Sequence, residues 1–257
     1  MKRRVVVTGI GLVTPLGCGT HATWESLVNG RSGIGRITRF DASDQACQIA
    51  AEVRDFDPLA YFDAKQVKNL DLFVQYAIAA ATMAVEDSGL DLAGIDEDRI
   101  GVITGCGMGG LPTIEQYHQV YMEKGPKRIT PFLIPRIIPN MPSGHISMRF
   151  NAKGPNLALS TACAAGTHAV GEAFRSISYG DCDIAFTGGT ESVVCPLAVG
   201  GFSSMKALST RNDDPAAASR PFDLERDGFI IAEGSGMLIV EELQHARARG
   251  AVIYAEI

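Results

Sequence analysis

The sequence predicts an α/β layered fold. Three observations carry that prediction: short β-rich runs alternate with amphipathic helical stretches, strand candidates end in glycine clusters, and 46% of the 257 residues are hydrophobic against 20% charged. Alternating extended and helical segments pack as helices on the faces of a sheet. A chain of this length and apolar content can bury the core such layers need, as one large domain or two small ones.

The first strand is expected at Val5–Thr8, straight after Met1-Lys2-Arg3-Arg4, in an apolar run too short for a secretory signal. Thr20 is expected to cap a helix around Trp24 to Val28. From Asp71 to Asp87, Leu72, Phe73, Tyr76, Ala80, Met83 and Ala84 recur close to a 3.6-residue period, and Ser88-Gly89 stops the helix they predict. A second strand, Ile100–Thr104, runs into the glycine-rich stretch Gly105 to Gly110. Arg128 to Pro142 holds prolines at 131, 135, 139 and 142, which predicts an irregular apolar segment of the kind that lines a pocket or a subunit interface. Leu157–Thr161, Ile184–Thr187 and Met237–Glu241 complete five strands, with a helix to Tyr179 after the first of these. The closing run Ala251–Ile257 reads either as a terminal strand docked in the sheet or as a chain cut at the threshold of a second lobe.

A net charge of −6 argues against nucleic acid as a partner. No stretch approaches the roughly 18 apolar residues of a membrane span, so no membrane is expected. The six cysteines share no CxxC spacing and no histidine stands at ligand spacing, so neither a metal site nor a redox pair is suggested. With no export signal, they point to a reducing cytoplasm. Gly9-Ile10-Gly11 has Thr14 where a dinucleotide fingerprint needs its third glycine, so a tight turn is the expected role and no cofactor is implied.

Chemistry concentrates at Thr161-Ala162-Cys163-Ala164-Ala165-Gly166, where a strand hands over to a helix. A helix start presents unpaired N–H groups and about half a positive charge, which favour a thiolate and offer donors to a thioester oxyanion. Small neighbours leave room for a substrate carbonyl. The competing reading is a small buried hydrophobe, the usual fate of a free cysteine among alanines. Cys18, Cys47, Cys106, Cys182 and Cys195 read as structural.

The collinear series Val5-Val6-Val7-Thr8-Gly9, Thr161-Ala162-Cys163, Gly188-Gly189, Leu208-Ser209-Thr210-Arg211-Asn212, Ser219-Arg220-Pro221-Phe222-Asp223, Arg226-Asp227-Gly228-Phe229 and Glu233-Gly234-Ser235-Gly236 resembles the β-ketoacyl-[acyl-carrier-protein] synthases of fatty-acid elongation. The resemblance implies a thiolase-like α-β-α fold, of which residues 1–257 form the N-terminal half with a mixed five-stranded sheet and helices on both faces. It implies that Cys163 takes an acyl group from acyl carrier protein and that a malonyl-carrier carbanion then attacks it in a Claisen condensation. Ala162, Ala198, Phe202 and Phe229 would lie along the acyl channel, with Met108, Leu133 and Ile134 closing it from a homodimer partner; each would otherwise pass as ordinary core, a reading that stands about even for Phe229. Lys65, Lys68, Lys127, Arg128 and Lys206 would receive the acidic carrier, although such lysines also form ordinary solvated faces. The family's two catalytic histidines belong to a C-terminal half not represented in this sequence, so the chain alone is expected to be inactive. Two alternatives are a non-catalytic partner like the chain-length factors, against which Cys163 speaks, and a thiolase acting on coenzyme A esters, against which Arg226-Asp227-Gly228-Phe229 speaks.

Overall fold

The computed structural model describes residues 3–257. In chain order the elements are β1 (Val5–Thr14), β2 (Gly17–Cys18), α1 (Thr20–Val28), β3 (Gly35–Arg36), β4 (Ile49–Ala50), α2 (Ala64–Asn69), α3 (Leu72–Ser88), β5 (Ile100–Gly105) and α4 (Leu111–Lys124). They continue with α5 (Leu133–Ile137), α6 (Met141–Phe150), β6 (Asn156–Leu159), α7 (Ala165–Tyr179), β7 (Ile184–Glu191), α8 (Pro196–Ser204), β8 (Gly234–Glu242), α9 (Leu243–Ala248) and β9 (Ala255–Glu256).

All five expected strands are present, in a mixed sheet ordered β2-β1-β8-β7-β5-β6. β5 runs parallel to β6 and to β7, while β7 pairs antiparallel with β8 and β8 with β1. The two-residue strands β2 and β9, both on β1, raise the count to seven. The sequence gives no period-2 signal for them, because two residues are too few to alternate. β9 places Ala255 opposite Val7 and Glu256 opposite Val6, so the closing run docks in the sheet.

Period-2 alternation sends the two faces of the sheet to different helices. On one face Ile100, Val102, Ile184, Phe186, Met237 and Ile239 pack with buried residues of α3 and α6. On the other, Ile103, Ala185 and Val240 meet Ala169, Ala173 and Ile177 of α7. The helices-on-both-faces architecture follows directly. α3 is apolar enough to be buried on several sides; Asp71 accepts the Phe73 N–H at its start and Gly89 closes it in the left-handed conformation at φ 60°. A third core, around Val193, Val199, Leu208 and Ile231, sits beyond the strand ends and includes Ala198.

Two local expectations are corrected. Thr20 does not cap the first helix: Gly19 holds the cap position and the Thr20 hydroxyl donates to the Ile10 carbonyl at 3.0 Å instead. The segment from 128 to 142 is not irregular throughout, since α5 occupies Leu133–Ile137 and α6 begins at Met141. Pro135 and Pro142 fall in the first turns of those helices, where an N–H has no intrahelical acceptor and proline costs nothing. No helix among the described residues is long and apolar enough to cross a membrane.

Candidate functional site

Strand β6 ends at Leu159, and the chain turns through Ser160 and Thr161 into a 3₁₀ turn, Ala162–Ala164, which flows into α7. Ala162 sits at φ 51°, a left-handed conformation that alanine tolerates only under constraint, one residue before Cys163. The sharp bend presents Cys163 outward: of the six free cysteines it alone is exposed. The N-terminus of α7 has no side-chain cap; the 3₁₀ turn ahead of it takes up its first donors instead, Ala164 N–H bonding to the Thr161 carbonyl at 3.2 Å and Ala165 N–H to the Ala162 carbonyl.

Glycines bring that helix start onto the sheet. A Cβ on Gly105, at the end of β5, would lie 2.2 Å from the Ala165 carbonyl carbon and 2.5 Å from the Gly166 nitrogen. A Cβ on Gly166 would come within 3.3 Å of the Gly189 Cα. The approach is backbone on backbone, which only glycine permits.

Cys163 opens on a cavity of about 640 Å³ whose wall includes Ala162, Met108, Phe202 and Phe229, together with Glu191 and Glu233. Phe202 and Phe229 meet edge to face with ring centroids 5.2 Å apart. The motifs around 208 and 226 explain how Phe229 gets there. Phe229 N–H donates to the Ala207 carbonyl at 2.9 Å, and Ser209 N–H to the Phe229 carbonyl at 3.0 Å. Asp227 accepts the Thr210 N–H at 3.0 Å and pairs with Arg220 at 3.1 Å. Bonds from Ser209 and Thr210, with Arg220 close by, hold its carboxyl below the usual range.

Of the other expected channel residues, Ala198 is buried in the third core and does not reach the cavity wall. Leu133 and Ile134 lie on α5, outside this cavity, with Ile134 59% exposed. Met108 lines the cavity of its own chain. Lys65 and Lys68 lie on α2, Lys127 and Arg128 on a 3₁₀ turn after α4, and Lys206 follows α8; all five are exposed.

Sequence reasoning missed the cavity's carboxylates. Glu191 ends β7 and accepts N–H groups from Gly107, Met108 and Gly109, against which burial pushes its carboxyl up. Glu233, with its side chain 2% exposed, pairs with Arg39 at 2.6 Å and accepts from Ser192 at 2.9 Å and the Val53 N–H at 3.2 Å. The signal available was the acidic residue directly after Gly188-Gly189-Thr190, at the end of an apolar strand.

The other thiols are poor nucleophiles. Burial raises Cys182 and Cys195 to about 11 and also raises Cys18, Cys47 and Cys106, the last of them bonded to Glu191. No histidine lines the cavity among the described residues; His168 meets Thr161 at 2.7 Å. Nor is there, among those residues, a group of three or more side chains that could hold a metal ion.

Residues 2–246 match the family described as "Beta-ketoacyl synthase, N-terminal domain". The chain is 50% identical over 256 residues to the 3-oxoacyl-[acyl-carrier-protein] synthase 2 of Coxiella burnetii (strain RSA 493 / Nine Mile phase I), covering all of this chain and 62% of that protein. It therefore spans somewhat under two thirds of the length of that relative. A crystal structure of a β-ketoacyl synthase from Burkholderia phymatum STM815 superposes with a TM-score of 0.89 at 33% identity, over 100% of this chain and 63% of that one. A type II PKS acyl-carrier protein in complex with its ketosynthase, bound to the hexaketide, gives 0.87 at 34% identity, over 100% and 62%.

Proposed function

The chain belongs to the β-ketoacyl synthase family, and on that footing we propose that it carries the acyl-accepting half of a 3-oxoacyl-[acyl-carrier-protein] synthase. One observation supports this most: the exposed cysteine stands on a strained turn at an uncapped helix start and opens into a largely apolar cavity. In the first step the Cys163 thiolate attacks the carbonyl of an acyl thioester. The S–C bond to the enzyme forms, the carrier's thiolate leaves and takes up a proton, and the acyl tail enters beside Phe202 and Phe229. The Cys163 N–H, in the first turn where intrahelical bonding leaves donors free, faces the charge that grows on the carbonyl oxygen. Malonyl-carrier then loses CO2, its carbanion attacks the enzyme thioester, and the thiolate departs from 3-oxoacyl-carrier.

The carrier is an acyl carrier protein, by likeness to the ketosynthase complex, and it docks on the exposed cations of α2, of residues 127 and 128, and of Lys206. Decarboxylation falls to donors in a second, C-terminal lobe, and residues 1–257 make up the first. Two chains form a homodimer through edge strand β6, whose Leu157 is 43% exposed. The protein works in the cytoplasm.

With the second lobe supplied, 3-oxoacyl-carrier should accumulate, and Cys163→Ala should cut its formation on the order of 10⁴-fold or more, as removal of a covalent nucleophile does. Unchanged turnover in that variant would end this reading.

A further inference from the structure

The loop that follows β5 is held by a carboxylate from another strand. Glu191 Oε2 accepts the N–H of Gly107 at 2.8 Å and of Met108 at 2.9 Å, while Oε1 accepts the N–H of Gly109 at 3.1 Å and the Cys106 thiol at 3.4 Å. Consecutive N–H groups converging on one anion form a nest. Here the anion is built in. Two further bonds fix the loop's other faces: Ser160 Oγ donates to the Gly107 carbonyl at 3.2 Å, and Gly110 N–H to the Ile137 carbonyl at 3.1 Å. The fit leaves no slack. A Cβ on Gly107 would stand 2.8 Å from Glu191 Oε2, and one on Gly109, at φ 68°, would stand 2.7 Å from the Ile137 carbonyl oxygen.

Met108 rides on this loop and lines the cavity with Cys163. Its backbone nitrogen is one of the three bonded to Glu191, so the point from which its side chain enters the cavity is held by that carboxylate. Four donors on one carboxylate are worth far more than the rotamer freedom of one methionine, so the loop cannot drift to admit a longer guest.

We propose that Glu191 is a positioning residue that sets the acyl length the cavity admits, by holding Met108 through the loop Cys106–Gly110. The inference rests on the reading of the cavity as the acyl slot. It makes Glu191 a determinant of specificity without contact to the reacting atoms.

The test uses N-alkyl chloroacetamides of increasing tail length on the intact chain; Cys163 Sγ displaces chloride, its proton passes to buffer, and rates at Cys163 are read by peptide mass. In the wild type each added methylene should raise the rate about fourfold until the tail meets Met108, beyond which the rate should drop. In Glu191→Gln the contrast across that cutoff should shrink about tenfold, as a charge-assisted hydrogen bond is lost. Gly107→Ala crowds the same carboxylate from the loop side and should do the same, so a folding failure of either variant leaves the other as witness. Met108→Ala alone should shift the cutoff to longer tails, and adding Glu191→Gln to it should change nothing more. That non-additivity is a result that general destabilisation would not produce. A cutoff kept in both Glu191→Gln and Gly107→Ala overturns the proposal while leaving the acyl slot intact. A wild type labelled at Cys163 without any dependence on tail length overturns the acyl slot itself, and this proposal with it.

Discussion

Offered an acyl-carrier primer and malonyl-carrier, the 257-residue chain alone should form no 3-oxoacyl product above the no-enzyme control. Decarboxylation builds enolate charge that needs positioned donors, and none of the chain's five histidines lines the Cys163 cavity. His168 is bonded to Thr161, His245 pairs with Glu241, His145 lines a separate cavity, and His21 and His118 are exposed. Losing a single oxyanion donor typically costs about 10²–10³ in rate, and here a whole set must come from elsewhere. Mass-resolved product analysis decides the point. Turnover by the chain alone would shift the decarboxylating role to one of these histidines, with His168 first in line.

Gly105→Ala should lower stability by about 3 kcal/mol, the upper end of overpacking costs, because every atom its Cβ meets is backbone and cannot rotate away. The carbonyl of Ala165 and the nitrogen of Gly166 would have to retreat, and the turn that carries Cys163 would move with them. Urea unfolding should show the lost stability at an unchanged m-value, and iodoacetamide should modify Cys163 at an altered rate. Gly144→Ala is the matched control. It lies inside α6 with nothing within 4 Å of the added Cβ, so it should gain about 0.5–1 kcal/mol. A Gly105→Ala protein as stable as the wild type would mean that the helix does not rest on the end of β5.

The sequence and the structure agree where local chemistry decides. The period of Leu72 to Ala84 and the stop at Gly89 made α3 legible, and strand-to-helix handover at Cys163 could be read from four strand residues followed by small helix formers. Failures fall where the deciding partner is distant in the chain. The N–H groups that Glu191 accepts lie 82 to 84 residues away, so its neighbours in the sequence mark an acidic strand end without showing what it binds. Phe229 reaches Phe202 only because its segment pairs with Ala207 and Ser209, a contact that no periodicity encodes. Proline placement misled for a different reason: four prolines suggested a broken segment, whereas two of them sit in first helical turns where they are harmless.

Peptide-resolved mass analysis after incubation with an acyl-carrier donor tests most directly the proposal that Cys163 takes the acyl group. It should find the acyl mass on the peptide containing Cys163, on none of the other five cysteines, and nowhere in Cys163→Ala. Brief iodoacetamide treatment of the same folded sample should mark Cys163 first, since it is exposed while burial raises the other five thiols. Acyl mass on Cys18 or Cys182, or a folded protein in which Cys163 refuses both reagents, would contradict the account.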